Sequence, residues 1–162
     1  MNDIIKPTDT IPVGLPVLLR FARKTYSHAV QEALAAVGCE DMPKNGSYVL
    51  GGIANNDMPV RQLFVELGIS KQAASQLIDT LVVRGYLLRT EDETDRRRLR
   101  LELTERSRLA ARAIKKAIQK VDDELAAEVG EENLQATKYT LAVLIDIHDR
   151  RHGLPRGIQV KV

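Results

Sequence analysis

The chain has 162 residues, of which 44% are hydrophobic, 28% charged and only 4% aromatic. This balance excludes global disorder, which requires low hydrophobicity and a high net charge. The single cysteine, Cys39, excludes an intrachain disulfide and a zinc site built from several cysteines. No apolar run reaches the ~18 residues of a membrane span, and the N-terminal residues lack the apolar stretch of a signal peptide. We therefore expect a cytoplasmic protein that does not bind membranes.

The charge of the chain is unevenly distributed, although the formal net charge is only +2. Between Arg84 and Lys120 the sequence has twelve Lys or Arg against six Asp or Glu. A local basic block in a nearly neutral protein is typical of a surface that binds a polyanion. A solvated helix face has the same composition, so charge alone leaves both interpretations open.

The first part of the chain predicts an arm, a long helix and a short apolar segment. Residues 1–14 contain proline and glycine and little periodicity, which indicates an extended arm. Apolar side chains then recur every three or four residues from Leu15 to Val37, as in an amphipathic helix. After a loop, residues 47–54 are apolar, but the pair Gly51-Gly52 argues against a stable helix there.

Two short helices joined by a turn are predicted next. The first begins near Pro59 and ends at Gly68, and Ser70 can cap the second by accepting a hydrogen bond from a free amide. Apolar residues of the second helix have the spacing of one buried face, namely Ala74, Leu77, Ile78 and Leu81. The opposite face is polar and consists of Lys71, Gln72, Ser75, Gln76 and Asp79. We interpret Asp79 as an intramolecular partner.

The periodicity then changes from 3.6 to 2, which predicts a β-hairpin. Leu99, Leu101 and Leu103 alternate with charged residues, and residues 86–89 are the expected partner strand. The charged residues 90–97 must form the tip of the hairpin. Thr104 is a suitable N-cap for a long helix that ends near Val129, and a last helix follows.

These elements predict a mainly α fold with a small β-hairpin wing, that is, a winged helix-turn-helix plus a helical dimerisation region. The second short helix fits the major groove of duplex DNA, and a basic hairpin can reach the minor groove. We expect an arm and first dimerisation helix at 1–37 and a DNA-binding domain at 38–104. C-terminal dimerisation helices follow at 105–152 and a tail at 153–162. The apolar stripes of the outer helices exceed what one winged domain can cover, which predicts a homodimer.

The residues between Leu63 and Thr104 resemble the MarR family of bacterial and archaeal transcription regulators. The resemblance is carried by Leu67–Asp79, Arg84-Gly85-Tyr86-Leu87, Arg89, Asp92, Asp95-Arg96-Arg97 and Leu103-Thr104. It implies that Arg97 enters the minor groove and that Asp95 holds Arg97 in place. The expected DNA-binding residues are Ser70, Lys71, Gln72, Ala73, Ser75 and Gln76 on the recognition helix and Arg96, Arg97 and Arg98 on the wing. Ser107 stands where the family usually has glycine.

The resemblance also implies a repressor that binds an inverted-repeat operator as a homodimer and is released by a small-molecule effector. We expect the effector near Tyr26, Tyr48 and Leu50, and we expect no cofactor. The alternative is a winged-helix protein-interaction module that does not read an operator. Such a module predicts an apolar or acidic second helix, whereas this helix is polar and basic.

An enzyme is not expected, because the sequence has no glycine-rich phosphate loop, nucleophile elbow or zinc-protease helix. The histidines His28, His148 and His152 do not form a spaced ligand set with Cys39, so no metal site is predicted. A peroxide-sensing thiol requires cationic neighbours, and Cys39 is followed by Glu40 and Asp41.

Overall fold

The computed structural model describes residues 11–55, 64, 67–91 and 99–153. Within these ranges the chain forms five helices and one antiparallel two-stranded hairpin, which confirms the predicted fold class. The elements in chain order are α1 (Leu15–Ala35), α2 (Gly46–Asn55), α3 (Lys71–Val83), β1 (Leu87–Glu91), β2 (Leu99–Leu103), α4 (Glu105–Val129) and α5 (Glu131–His152). None of the helices in the described ranges is long and apolar enough to cross a membrane.

The chain divides into two compact units, Met1–Ile118 and Gln119–Val162. The first unit contains a core of buried side chains from α1, α2, α3, β1 and α4, which are Leu34, Cys39, Val49, Leu50, Ile78, Leu81, Tyr86, Leu87 and Ala110. The second unit contains the end of α4 and all of α5. There Lys138 donates to Asp122 across 2.7 Å, which ties α5 to α4, and Leu134 is buried.

Helix α1 ends at Ala35, two residues before the predicted end at Val37. The chain turns at Gly38, whose φ of +68° favours a residue without a Cβ atom. The amide of Cys39 then donates to the carbonyl of Leu34 across 2.8 Å and closes the turn. This turn directs Cys39 into the core, where 1% of its surface is exposed.

The segment that we expected to be an unstable helix forms α2. Val49 and Leu50 on this helix are no more than 1% exposed, so packing against the core outweighs the low helix propensity of the glycines. Gly46, in the first turn, is buried, and a Cβ atom there would lie 2.7 Å from the sulfur of Met42. A Cβ atom at Gly51 would meet no described atom within 4 Å.

Candidate nucleic-acid interface

Helix α3 begins as its sequence predicts. The hydroxyl of Ser70 accepts a hydrogen bond of 3.2 Å from the amide of Ala73, which confirms Ser70 as the N-cap. Ala74, Ile78 and Leu81 are buried on the inner side of the helix. Because these three residues lie on one side, the polar residues of α3 must face outward.

The predicted recognition residues lie together on this outward face. Lys71, Gln72, Ser75 and Gln76 are exposed, and their spacing places them within the first two turns of α3. Ser70 is exposed just before the first turn, whereas Ala73 is half-buried. The face therefore presents one cation, two amides and two hydroxyls. These groups can donate to phosphates and bond base edges.

The hairpin is fixed to the body of the first unit at its base. Leu87 pairs with Leu103 at the base, and Glu91 pairs with Leu99 at the far end of the ladder. The hydroxyl of Thr104 donates to the carbonyl of Gly85 across 2.7 Å and also accepts from the amide of Ser107 at 3.1 Å. Thr104 thus closes the hairpin and caps α4, as predicted. The expected wing residues Asp95, Arg96, Arg97 and Arg98 lie outside the described residues.

An ion pair joins the outward face of α3 to the hairpin. The guanidinium of Arg89 on β1 donates to the carboxylate of Asp79 on α3. This contact confirms our interpretation of Asp79 as an intramolecular partner. The identity of its partner was not predicted, because the two residues lie in different elements and no local spacing relates them.

A polar cluster at the base of the hairpin was also missed by sequence reasoning. The hydroxyl of Tyr86 donates to the carboxylate of Asp41 across 2.6 Å, and Arg106 donates to the same oxygen across 2.8 Å. Arg106 also donates to the carbonyl of Gly38 at 3.0 Å and lies 4.4 Å from the centre of the Tyr86 ring. The cluster joins the α1–α2 loop, the residue before β1 and the first turn of α4, so it helps to fix where the hairpin leaves the body.

The electrostatics of this cluster favour an ionised Asp41. The hydrogen bond from Tyr86 lowers the pKa of Asp41, and the positive charge of Arg106 lowers it further. Burial raises the pKa of Tyr86 well above its usual range, and the hydrogen bond to Asp41 acts in the same direction. At neutral pH the cluster therefore consists of a carboxylate, a neutral phenol and a guanidinium.

The lowered pKa of Asp41 predicts a pH-dependent contribution to stability. In the unfolded chain the Asp41 carboxylate binds a proton as the pH falls toward ~3.9. In the folded protein the same carboxylate stays largely ionised at that pH. Its contribution is therefore fully present above that pH and is lost as the pH falls through the lower pKa of the folded state. We expect Asp41→Asn to be less stable than the parent at neutral pH, and we expect the difference to shrink in acid.

Urea unfolding followed by circular dichroism at a series of pH values measures this difference. Tyr86→Phe keeps the ring and removes the hydrogen-bond donor that most lowers the pKa of Asp41. The pKa of Asp41 in this folded variant should lie closer to that of the unfolded chain, so the stability contribution of the carboxylate should be lost over a narrower pH range. A deficit of Asp41→Asn that is equally large at neutral and strongly acidic pH would contradict a role for the carboxylate charge.

A groove of about 820 Å³ lies between α1, the α1–α2 loop and α2 in the first unit. Its apolar lining includes Val30, Leu34, Met42, Pro43, Tyr48 and Leu67. Of the expected effector residues, Tyr48 lines this groove. Leu50 is 1% exposed and belongs to the core, and Tyr26 is not among the lining residues in the described part of the chain.

The remaining polar candidates are histidines and the single cysteine. His148 lies 3.3 Å from the carboxylate of Asp149, and the rings of His148 and His152 are 4.6 Å apart. The described ranges contain no group of three or more residues that could hold a metal ion. The Cys39 thiol is buried in the core of the first unit.

Comparison with known proteins agrees with this geometry. The sequence model of the MarR family matches residues 41–98. No protein of curated function matches the chain in sequence. Among solved structures, the transcriptional repressor CouR bound to a 23-mer DNA duplex is 26% identical, with a TM-score of 0.61. That match covers 81% of this chain and 92% of CouR.

Two further structures share the fold at lower identity. The S. aureus MepR–DNA complex is 17% identical with a TM-score of 0.64, covering 83% of this chain and 98% of MepR. Wild-type apo MarR from E. coli is 19% identical with a TM-score of 0.60, covering 85% of this chain and 99% of MarR. Residues 41–98 therefore match the sequence model of the MarR family, and the described part of the chain has the fold of the MarR-family regulators.

Proposed function

We propose that this chain is a transcriptional regulator that binds an inverted-repeat operator in duplex DNA as a homodimer, in the cytoplasm of a prokaryote. The observation that carries the proposal is the outward polar face of α3, which the Ser70 cap and the buried side of the helix hold in place. The similar structures of CouR and MepR, both in complex with DNA, support it. We propose a binding function and no enzymatic activity.

The residues of α3 suit distinct roles in a major groove. The amides of Gln72 and Gln76 can each form two hydrogen bonds with the N6 and N7 atoms of adenine. Lys71 carries a positive charge that can pair with a phosphate of the DNA backbone. The hydroxyl of Ser70 accepts from the helix amide, and its own proton remains able to donate to a phosphate. Ala73 offers a methyl group to thymine.

The wing is proposed to add contacts in the neighbouring minor groove. Arg96, Arg97 and Arg98 belong to the segment between β1 and β2, and the ladder of these strands fixes both ends of that segment. The narrow minor groove has a strong negative potential that attracts arginine. Asp95 is proposed to hold Arg97 in the orientation that enters the groove.

The homodimer is supported by the exposed apolar side of α1. Leu15, Val17, Leu18 and Phe21 are between 37% and 57% exposed, although they are large and apolar. A contiguous surface of this kind marks a protein interface, and two-fold pairing is the commonest solution. A two-fold dimer would place two α3 helices in successive major grooves ~34 Å apart, on an operator of about 20 bp.

We further propose that the chain represses transcription until a small apolar or aromatic acid binds near Tyr48. The groove has apolar walls, and two cations, Arg23 and Lys44, line it together with one acid, Glu40, so an acidic ligand could pair with either cation. A ligand there would shift the protein away from the DNA-binding conformation only by the difference in its affinity for the two states.

Selection of binding sites from random duplexes, followed by affinity measurements, tests the function. We expect Gln72→Ala to weaken binding to the selected operator by ~1–3 kcal/mol and to relax the preference at one base pair. Affinity for random DNA should change little, because the amide reads a base rather than a phosphate. The control is Gln135→Ala, an exposed glutamine on α5, which should leave both affinities unchanged when light scattering shows the mass of the parent.

The other outcomes discriminate between the candidate functions. A chain that selects no common sequence and binds random duplexes weakly is a winged-helix interaction module instead. Footprints on a direct repeat or on a single half-site would contradict the two-fold dimer. Equal losses of Gln72→Ala on operator and random DNA would show that Gln72 does not read a base.

A further inference from the structure

The ion pair between Asp79 and Arg89 lies at the border between the recognition helix and the wing. Asp79 is seven residues after Gln72 and three after Gln76, so it belongs to the same outward face of α3. The side chains of Arg89 and Asp79 are 39% and 54% exposed. The pair is therefore open to a ligand that approaches this face.

The register of the hairpin explains why Arg89 reaches α3. Arg89 pairs with Leu101, and Leu87 pairs with Leu103 two residues away on the same side of the ladder. Leu87 is completely buried, so this side of β1 faces the body of the first unit. Arg89 lies farther along the strand on that same side, where its guanidinium meets Asp79 at the edge of the body.

The guanidinium retains free hydrogen-bonding capacity. An arginine has five N–H donors in a planar fork, and in this pair the Nη2 group is bonded to one carboxylate oxygen. Within the described ranges, Asp79 is the only hydrogen-bond partner of the Arg89 guanidinium. The remaining donors can bind an anion without breaking the ion pair.

The groove geometry of DNA identifies that anion. When a recognition helix occupies the major groove and its wing occupies the adjacent minor groove, one sugar–phosphate strand must pass between helix and wing. Arg89 stands at this place in the fold, since its strand belongs to the wing and its partner belongs to α3.

We propose that Arg89 binds a phosphate of the DNA strand that separates the two grooves, and that Asp79 is a positioning residue that holds the guanidinium there. This inference rests on the proposed DNA-binding function. The carboxylate of Asp79 alone would repel the phosphates that pass this face. When it is paired with Arg89, the Asp79 carboxylate orients the planar guanidinium, whose N–H donors suit a phosphate, and little net negative charge remains on this face.

Salt-dependent affinities for the selected operator and for random duplexes test the role of Arg89. Arg89→Ala should weaken both by a similar factor and reduce the slope of log K against log[salt] by about 0.9, the value for one lost phosphate contact. At ~0.15 M salt that slope corresponds to a loss of about fivefold. Arg89→Lys keeps the charge and should restore most of the slope. An unchanged slope in Arg89→Ala would overturn the proposal.

The control for this experiment is Arg150→Ala. Arg150 on α5 is also an exposed arginine paired with a carboxylate, that of Asp146 at 2.9 Å. Arg150→Ala removes the same charge and a comparable ion pair. Because α5 belongs to the predicted dimerisation helices, light scattering must first show that this variant has the mass of the parent in solution. With that mass, it should leave the salt slope close to that of the parent. A slope reduced as much as in Arg89→Ala would show that net charge alone is responsible.

A double-mutant cycle tests the positioning role of Asp79. If Asp79 only repels DNA, Asp79→Asn strengthens binding whether or not Arg89 is present. If it positions Arg89, Asp79→Asn weakens operator binding in the parent and causes no loss in the Arg89→Ala background. Strengthened binding in the parent, or the same loss in both backgrounds, would therefore overturn the positioning role.

The parent protein separates this inference from the proposed function. If the parent does not distinguish the operator from random DNA, the proposed function itself fails. If it does and the Arg89 variants bind like the parent, only the phosphate contact fails. Thermal unfolding of each variant shows whether a lost affinity reflects a lost fold.

Discussion

Replacing Tyr86 with alanine is expected to lower the free energy of unfolding by about 3–5 kcal/mol, the usual cost of truncating a buried aromatic side chain. None of the Tyr86 surface is exposed, and the side chain is among the largest in the core. The substitution would also remove the hydroxyl that donates to Asp41 and the ring beneath Arg106. Asp41 and Arg106 would keep their ion pair but would lose their contacts with Tyr86.

Urea unfolding at a fixed protein concentration measures this effect, because the stability of a dimer depends on concentration. Val83→Ala is the control, since Val83 at the end of α3 is 86% exposed and its truncation should change the free energy by less than ~0.5 kcal/mol. Tyr86→Phe should cost about 1–3 kcal/mol, as expected for a hydrogen bond to a charged group. A Tyr86→Ala variant as stable as Val83→Ala would contradict the assignment of Tyr86 to the core.

Replacing Phe21 with aspartate is expected to separate the proposed dimer into monomers. Phe21 is 57% exposed in the single chain, on the apolar side of α1 that we propose as the dimer contact. A carboxylate buried there without a partner would oppose association strongly. Light scattering should fall from about twice the chain mass to the 18.1 kDa of one chain. Operator affinity should fall by about 10²–10⁴-fold, because the second half-site no longer adds its avidity.

Val83→Asp is the matched control for this experiment. Val83 is also an exposed apolar residue, at 86%, but it lies at the end of α3 rather than on α1. This variant should keep the mass of the parent in solution. A parent protein that is monomeric at micromolar concentration, or a Phe21→Asp variant that remains dimeric, would contradict the proposed contact.

Local signals in the sequence were sufficient to predict the elements that carry the interface. Ser70 and Thr104 are N-caps in the structure because each accepts a hydrogen bond from the amide three residues later. The inner stripe of α3 likewise predicts the buried Ala74, Ile78 and Leu81, although Leu77 is only half-buried. The alternation of β2 predicts that Leu101 and Leu103 are less exposed than the charged residues that alternate with them. Such signals act within one turn or one strand, so a single sequence displays them directly.

Contacts between distant segments could not be predicted in the same way. Asp41 meets Tyr86 and Arg106, which follow it by 45 and 65 residues. No local spacing relates such residues, and nothing in the sequence distinguishes Asp41 from its neighbour Glu40. The same limit explains why the sequence did not show that Leu50, one of the expected effector residues, belongs to the core. Its burial depends on how α2 packs against the core.

The glycines of α2 show where local propensity misleads. Each glycine costs roughly 1 kcal/mol relative to alanine in a helix, which made this segment a poor candidate for a helix. The segment is helical nonetheless, because Val49 and Leu50 bury their side chains there. Tertiary packing supplies more free energy than the backbone preference removes.

Ser107 shows how far a position can diverge without altering the fold. It is completely buried in the first turn of α4, and its hydroxyl donates to the carbonyl of Thr104 across 2.8 Å. The position lies inside a helix, so it requires a small side chain rather than the backbone freedom of glycine. Serine, alanine and glycine can therefore replace one another here without altering the fold, whereas a larger residue would have to displace the surrounding core. A difference from relatives at this position therefore reflects only the small space that the core leaves for the side chain. It does not indicate which DNA sequence is read.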